Sequence, residues 1–231
     1  MRAFGIIAKW LFIVCLPVLL LTASLGWAVN SLWLYEHGFE RYHISQATGL
    51  AQSELDKAAR GLVSYFNSNE ATISLTVMKG GNSFALFNER EVVHLRDVKG
   101  LIWLDYRLWL VTLVYAAGYA GASLFLRKWR RLAREAVIGS GLTLALMLIL
   151  GLGIALNFDQ LFLEFHLISF TNEFWQLDPT KDYLIRLFPE GFWYDAARYI
   201  ALATAGLALT VGGVSGGYLL AKRGAVTVET S

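Results

Sequence analysis

The chain has 231 residues, of which 56% are hydrophobic and only 16% are charged. A soluble domain has about 45–50% apolar and about 25% charged residues, so an ordinary soluble enzyme is excluded, and the many aromatic residues exclude intrinsic disorder. The formal net charge of +2 gives no signal for nucleic-acid binding, and the single cysteine, Cys15, permits neither an internal disulfide nor a cysteine metal cluster.

Four apolar blocks along the chain predict four transmembrane helices. Each block has close to the ~20 apolar residues that a helix needs to cross a bilayer, and none has a charged residue in its middle. The first block could instead be a cleaved signal peptide, but its apolar run is longer than a signal core, so a retained anchor is favoured. The predicted spans are residues 8–34, 108–126, 136–156 and 199–221.

Basic residues predict the orientation of these spans. The short connection at residues 127–135 is strongly basic, and basic residues beside a span stay on the cytoplasmic side. Both chain ends are therefore expected in the cytoplasm, which gives the inside nine basic and two acidic residues, a charge of +7, and leaves −5 outside. The basic residues are Arg2, Lys9, Arg127, Lys128, Arg130, Arg131, Arg134, Lys222 and Arg223, and the acidic ones are Glu135 and Glu229.

Two longer segments are predicted to face the outside. Residues 35–105 show helical spacing and then strand-like alternation on both sides of Gly80-Gly81, which predicts a small mixed unit with a hairpin. Residues 157–195 are rich in aromatic residues and predict a helical loop at the membrane interface. The expected fold is thus a mainly α membrane protein with four transmembrane helices, a small α+β extracytoplasmic cap and an interfacial aromatic-rich helical loop.

A histidine flanked by acids lies in the first external segment. Asn88 and Glu91 form a capping pattern that predicts a helix over residues 89–99. On that helix His94 lies three residues from both Glu91 and Asp97, so either carboxylate could hydrogen-bond the imidazole and raise its basicity. The alternative is a solvated helix face with an incidental histidine. Glu91-x-x-His94 is also half of a metal-binding pattern, but no second copy exists and no metal site is expected.

The aromatic loop also holds polar residues, among them His166 and Ser169. Asp178-Pro179 is expected to begin a helix that Pro189 ends. The chain has neither a glycine-rich nucleotide loop nor a Gly-x-Ser-x-Gly elbow. An acylated serine, for which Ser169 is the candidate, is a minor alternative to direct chemistry.

Two blocks of the sequence resemble one known family. Residues 86–101 contain Asn-x-Arg-Glu-x-x-His-x-x-Asp-Val-Lys, and residues 165–189 contain Phe-His followed by Asn, Trp and Asp-Pro. Both resemble the bacterial lipoprotein intramolecular transacylases (Lit), a family with four spans and both long loops outside. Glu173 departs from the pattern, which has Asp at this place in many members. The resemblance implies a multi-pass protein of the bacterial plasma membrane with an extracytoplasmic active site.

The resemblance further implies transfer of an acyl chain from the sn-2 ester of a diacylglyceryl-cysteine to the same cysteine's α-amino group. The family's two key histidines correspond to His94 and His166, and imidazoles can take the proton that the amine loses and supply the one that the leaving oxygen gains. The implied partners are diacylglyceryl lipoproteins and membrane lipid, with no cofactor, nucleotide or nucleic acid. Candidates for orienting groups or binding the oxyanion are Glu91, Asp97, Arg90, Lys99 and Asn172, and those for contacting substrate or interface are Trp175, Asp178, Phe165 and Phe170.

Two other functions are weighed against this one. The first is a non-enzymatic sensor or assembly partner, which would gain support if His94 and His166 lay far apart or in solvent. The second is a transporter or channel, which usually places ionisable residues within its spans. The four blocks have none in their middles, so this last function is disfavoured.

Overall fold

The computed structural model describes the backbone of residues 2–228 and the side chains of residues 5–222. Glu229 and the side chains of Arg2 and Arg223, which enter the predicted charge balance, lie outside the described residues. The elements in chain order are α1 (Arg2–Asn30), α2 (Leu32–Arg41), α3 (Ile44–Thr48), α4 (Gln52–Phe66), β1 (Thr76–Lys79), β2 (Asn82–Ala85), α5 (Glu89–Phe125), α6 (Trp129–Ser169), α7 (Tyr183–Leu187) and α8 (Glu190–Val228).

Within the described residues, four helices are long and apolar enough to cross a membrane. They are Gly5–Asn30, Glu89–Phe125, Trp129–Ser169 and Glu190–Lys222. With a single two-stranded hairpin as the only sheet among the described residues, this confirms the predicted mainly α membrane fold with four transmembrane helices and a small α+β part.

The chain divides into two compact units, of which the first holds the residues up to Leu25, Asp105–Leu152 and those from Ile200 on. Its packing depends on small residues that let helices approach. Ala116 and Ala136 form one buried cluster with Phe12, and Ala208 forms another with Leu16 and Leu20. The outward faces carry exposed apolar side chains, which is the arrangement expected of helices in lipid. Examples are Val111, Ile149, Leu209 and Val214.

The second unit comprises Gly26–Leu104 and Gly153–Tyr199. Its core is built on the apolar face of α4, where Leu55, Ala59 and Leu62 are buried. The β1–β2 hairpin pairs Thr76 with Ala85 and Lys79 with Asn82. Both residues of its turn, Gly80 and Gly81, have positive φ, which a glycine pair adopts without strain. This unit contains the candidate functional residues.

The structure differs from the sequence prediction at the ends of the spans. The expected helix at residues 89–99 and the span at residues 108–126 are one continuous helix, α5. No proline separates them, and Gly100 alone costs a helix only about 1 kcal/mol. At ~1.5 Å per residue such a helix is ~55 Å long, against ~30 Å of hydrocarbon core. Part of α5 therefore extends beyond the width of a bilayer.

The first and third spans show smaller differences. The span expected at residues 8–34 is interrupted at Ser31, which has an extended backbone between α1 and α2. The third helix, α6, runs on past residue 156 but is kinked at Asn157, which has φ −160° and ψ 79°. The Asn157 side chain then accepts a hydrogen bond from the Gln160 amide at 3.2 Å, as an N-cap does, and so allows the helix to resume.

Gly212 of α8 lies close to Ser140 of α6. A Cβ added at Gly212 would lie 3.0 Å from the Cβ of Ser140 on α6, whereas one added at Gly213 would meet nothing within 4 Å. We predict that Gly212→Val lowers stability by about 1–3 kcal/mol through overpacking. The thermal unfolding midpoint of the purified protein in detergent should fall by several degrees. Gly213→Val is the matched control, and an equal fall for both variants would contradict this packing.

Candidate active site

Two buried histidines from different helices lie side by side in the second unit. His94 is on α5 and His166 is near the end of α6. Only 7% of His94 and 9% of His166 are exposed, and their ring centroids lie 6.2 Å apart with 28° between the ring planes. The structure therefore brings together the two predicted catalytic residues and removes both from bulk water.

Aromatic rings surround the histidine pair. Phe170 is buried and contacts both rings, with centroid distances of 4.9 Å to His94 and 5.6 Å to His166. Trp175 lies 5.0 Å from His166, and the half-exposed Phe165 lies 5.4 Å from it. Three of the four predicted substrate or interface residues thus line the site and make its walls apolar.

A backbone carbonyl fixes the tautomer of His166. Its Nδ1 lies 2.7 Å from the carbonyl oxygen of Phe162, one turn earlier in α6. A carbonyl oxygen only accepts, so Nδ1 carries the proton. In the neutral ring the lone pair is then on Nε2, which leaves this nitrogen able to accept a proton or a hydrogen bond. The Phe162 ring also packs on the imidazole at 4.4 Å.

His94 does not have the acid partner that its sequence neighbours suggest. Its Nδ1 is buried with no hydrogen-bond partner among the described residues. Glu91 accepts from backbone amides, and Asp97 accepts from the Asn172 side chain at 2.8 Å. Neither acid forms the carboxylate–imidazole bond that the spacing allows, which leaves the alternative in which these carboxylates do not serve the imidazole.

Glu91 instead connects two segments of the unit. Its side chain is only 1% exposed, and its oxygens accept from the amide of Asn88 at 2.8 Å and that of Leu184 in α7 at 2.6 Å. The Asn88 side chain in turn accepts from the Glu91 amide at 3.1 Å, which confirms the predicted capping box. The start of α5, one turn before His94, is thereby attached to α7.

Two further bonds hold the irregular chain that follows α6 against α5. Besides the Asn172–Asp97 bond, Arg90 donates from Nη2 to the carbonyl of Glu173 at 2.5 Å. Beside them lies an open cleft of about 300 Å³, lined by Arg96, Asp97, Gly100 and residues 169–172, which include Ser169. Arg90 and Asn172 each keep further N–H groups beyond these bonds.

Lys99 and Asp178 are engaged away from the histidines. The Lys99 ammonium donates to the carbonyl of Glu70 at 2.7 Å and lies 4.1 Å from the Tyr65 ring centroid. Asp178 accepts from the amide and hydroxyl of Thr180, bonds that hold the pKa of its carboxyl below the ordinary value. This local turn is also why the helix expected from Pro179 begins only at Tyr183.

Two site features were missed from sequence. The carbonyl of Phe162 could have been found, because it lies four residues before His166 on one helix. Asp182 carried no signal, although it is buried and accepts from the Asn88 side chain at 2.7 Å. Among the residues that the structure describes, no group of three or more His, Cys, Asp or Glu side chains could hold a metal ion.

We predict that Glu91→Ala destabilises the fold. It leaves the buried amide of Leu184 without an acceptor, at a cost of about 1–3 kcal/mol, and it removes the capping bond to the amide of the exposed Asn88. The thermal unfolding midpoint should fall clearly below that of Glu89→Ala, which removes an exposed carboxylate from the same helical turn. Equal midpoints for the two variants would show that the Glu91 bonds contribute nothing to stability.

Comparisons with known proteins agree with this architecture. Residues 10–193 match the family model for the lipoprotein intramolecular transacylase Lit. A protein of Aquifex aeolicus described as uncharacterized is 28% identical over 148 residues, a match that spans 62% of this chain and 64% of that relative.

Solved structures give the same fold. The in meso structure of the membrane integral lipoprotein intramolecular transacylase Lit from Bacillus cereus has a TM-score of 0.84 at 22% identity, over 96% of this chain and 99% of that one. A variant of that protein with a histidine-to-arginine mutation has a TM-score of 0.78, over 96% and 94% of the two chains. At this identity the likeness is one of fold.

Proposed function

Because the chain belongs to the lipoprotein intramolecular transacylase family, we propose that it moves the sn-2 acyl chain of a diacylglyceryl-cysteine lipoprotein to the α-amino group of the same cysteine. An amide bond forms between that nitrogen and the acyl carbon, and the ester bond to the sn-2 oxygen breaks. The proton lost by the amine ends on that oxygen, which becomes a hydroxyl. The observation that carries the proposal is the buried pairing of His94 with His166.

His166 is the proton carrier in this reaction. Its Nδ1–H donates to the Phe162 carbonyl, so the lone pair of the neutral ring is on Nε2. Nε2 takes the proton from the attacking amine and returns it to the leaving sn-2 oxygen, as one positioned imidazole can do in both directions. Such a group typically contributes about 10²–10⁴-fold to the rate.

His94 is the second acid–base group and binds the ester between the rings. Its Nδ1 has no partner among the described side chains and backbone groups, and a substrate polar atom would satisfy it. The tetrahedral intermediate also needs donors for its oxyanion. Arg90 and Asn172 are the better candidates, because the Lys99 ammonium is bound to Ser68 and Glu70.

No protein nucleophile takes part in the proposed transfer. The amine and the ester belong to one lipoprotein, so their proximity is largely built into the substrate. Ser169 forms no hydrogen bond with either histidine, and the thiol of Cys15 donates to the carbonyl of Thr112. Direct transfer is therefore preferred to an acyl-enzyme.

The apolar site suits a substrate that stays in the membrane. Phe165, Leu167 and Ile168 present exposed apolar surface next to His166. We place this site on the outer side of the bacterial plasma membrane and both chain ends in the cytoplasm, because the basic connection at residues 127–135 is expected inside. The acyl chains of a lipoprotein could then reach the histidines without leaving the lipid.

A non-enzymatic sensor or assembly role is less well supported. That alternative is favoured by histidines that lie far apart or in solvent, and the two rings are instead buried in one aromatic cluster. A purely structural aromatic cluster also has no need of the unpaired His94 nitrogen.

We predict that His94→Ala and His166→Ala each lower formation of N-acyl lyso-lipoprotein by at least about 10²-fold, because each removes an acid–base group. The variants are expressed in a bacterial host that lacks lipoprotein N-acylation, and lipoprotein N-termini are analysed by mass spectrometry. His94→Gln and His166→Gln, which keep similar volume, test the chemistry if an alanine variant does not accumulate. His37→Ala, which removes a histidine stacked on Trp33, is the control and should keep activity. Full activity in either site variant would remove that histidine from the mechanism.

We predict that Ser169→Ala retains most of the activity, because the proposed transfer uses no serine nucleophile. The same lipid analysis measures it, and a wild-type reaction should leave no acyl group on the protein. An inactive Ser169→Ala protein together with an acylated Ser169 in the wild type would replace direct transfer by an acyl-enzyme.

A further inference from the structure

A basic cavity lies in the first unit, where the connection between α5 and α6 meets α8. Its volume is about 590 Å³. Six of the eight residues that line it are cationic, and none is acidic. The lining residues are Arg127, Lys128, Trp129, Arg130, Arg131, Arg134, Tyr218 and Lys222.

Most of this positive charge has no counterion within the protein. Arg131 is paired with Glu135 at 2.8 Å, and Glu135 also accepts from Tyr119. Arg130 donates to the backbone carbonyl of Lys222 at 3.0 Å, which neutralises no charge. Among the described residues, the five remaining cations of the cavity form no ion pair with a carboxylate. An anion bound in the cavity would relieve their mutual repulsion.

The backbone conformation of Arg127 gives an independent indication that its cationic side chain has a role. α5 ends in a Schellman motif, in which the amide of Lys128 donates to Ser123 at 2.8 Å and that of Arg127 to Leu124 at 3.0 Å. Arg127 occupies the left-handed position of this motif, with φ 57°, where glycine is the unstrained residue. The chain thus carries a long cationic side chain at a position whose backbone favours glycine.

Exposed apolar residues adjoin the cations. Phe125 is 88% exposed and Trp129, which lines the cavity, is 50% exposed. Aromatic and basic residues side by side at the end of a span are typical of the headgroup level of a bilayer. The apolar surface can contact acyl chains while the guanidinium groups reach a phosphate.

We propose that this cavity binds the phosphate of an anionic membrane phospholipid. Guanidinium groups suit phosphate oxygens because they donate two parallel hydrogen bonds. A basic pocket between membrane helices is a recognised form of lipid-headgroup site. The five unpaired cations can bind the phosphate and the exposed Trp129 ring can contact the acyl chains, a combination that favours a lipid over a free anion. This inference does not depend on the proposed acyl transfer.

The test titrates the full-length protein in detergent with short-chain phosphatidylglycerol or phosphatidylcholine and measures bound lipid by native mass spectrometry. Phosphatidylglycerol should bind selectively, and Arg127→Gly and Arg134→Gln should each weaken its binding roughly fivefold. Arg60→Gln, which removes one exposed charge from the second unit, should leave lipid binding unchanged. The expected thermal stability of Arg127→Gly equals or exceeds that of the wild type, since glycine relieves the positive φ.

Three results would overturn the proposal. The first is equal binding of the two lipids. The second is loss of binding in Arg60→Gln as large as in the cavity variants. The third is displacement of the lipid by an equal concentration of inorganic phosphate, which would make the cavity a site for the free anion. Selective binding that only the cavity variants weaken supports a lipid site.

Discussion

The second unit depends on one buried carboxylate. Glu91 can remain inside the protein only because both of its oxygens accept backbone amide bonds, since an unpaired buried charge is very costly. Those bonds attach the start of α5 to α7. Further along α5, the bond between Asp97 and Asn172 attaches the chain that follows α6 to α5. His94 lies on the stretch of helix between these two attachments. The position of one catalytic candidate is thus fixed by hydrogen bonds to Glu91 and Asp97, and neither of these carboxylates takes part in the proposed chemistry.

The pairing of the histidines follows from helices that continue beyond the length a membrane requires. α5 carries His94 near its start and α6 carries His166 near its end, each outside the most apolar part of its helix. A rigid helix places a side chain more firmly than a loop does, and here it also supplies the carbonyl that fixes the His166 tautomer. Aromatic packing then keeps water from the rings, which suits the proposed substrate, whose ester and amine belong to one lipid-anchored molecule.

The sequence was sufficient for features that depend on local pattern. Apolar blocks identified the four helices, the Gly80-Gly81 pair identified the hairpin, and the Asn88 capping box appears as expected. Sequence patterns did not predict hydrogen bonds whose partner comes from a distant segment of the chain. The spacing would have allowed Glu91 to bind the imidazole of its own helix, but Glu91 accepts from the amide of Leu184, and Lys99 donates to the carbonyl of Glu70. No spacing rule relates such positions, because tertiary packing alone brings them together.

In the proposed transfer, one substrate molecule supplies both the amine and the ester. Its most direct test incubates the purified full-length protein with a synthetic diacylglyceryl lipopeptide whose sn-2 acyl chain carries an isotope label, mixed with an unlabelled lipopeptide of different peptide mass. The label should move only to the α-nitrogen of its own peptide and leave a free sn-2 hydroxyl. Label on the other peptide, or released as free fatty acid, would contradict intramolecular transfer.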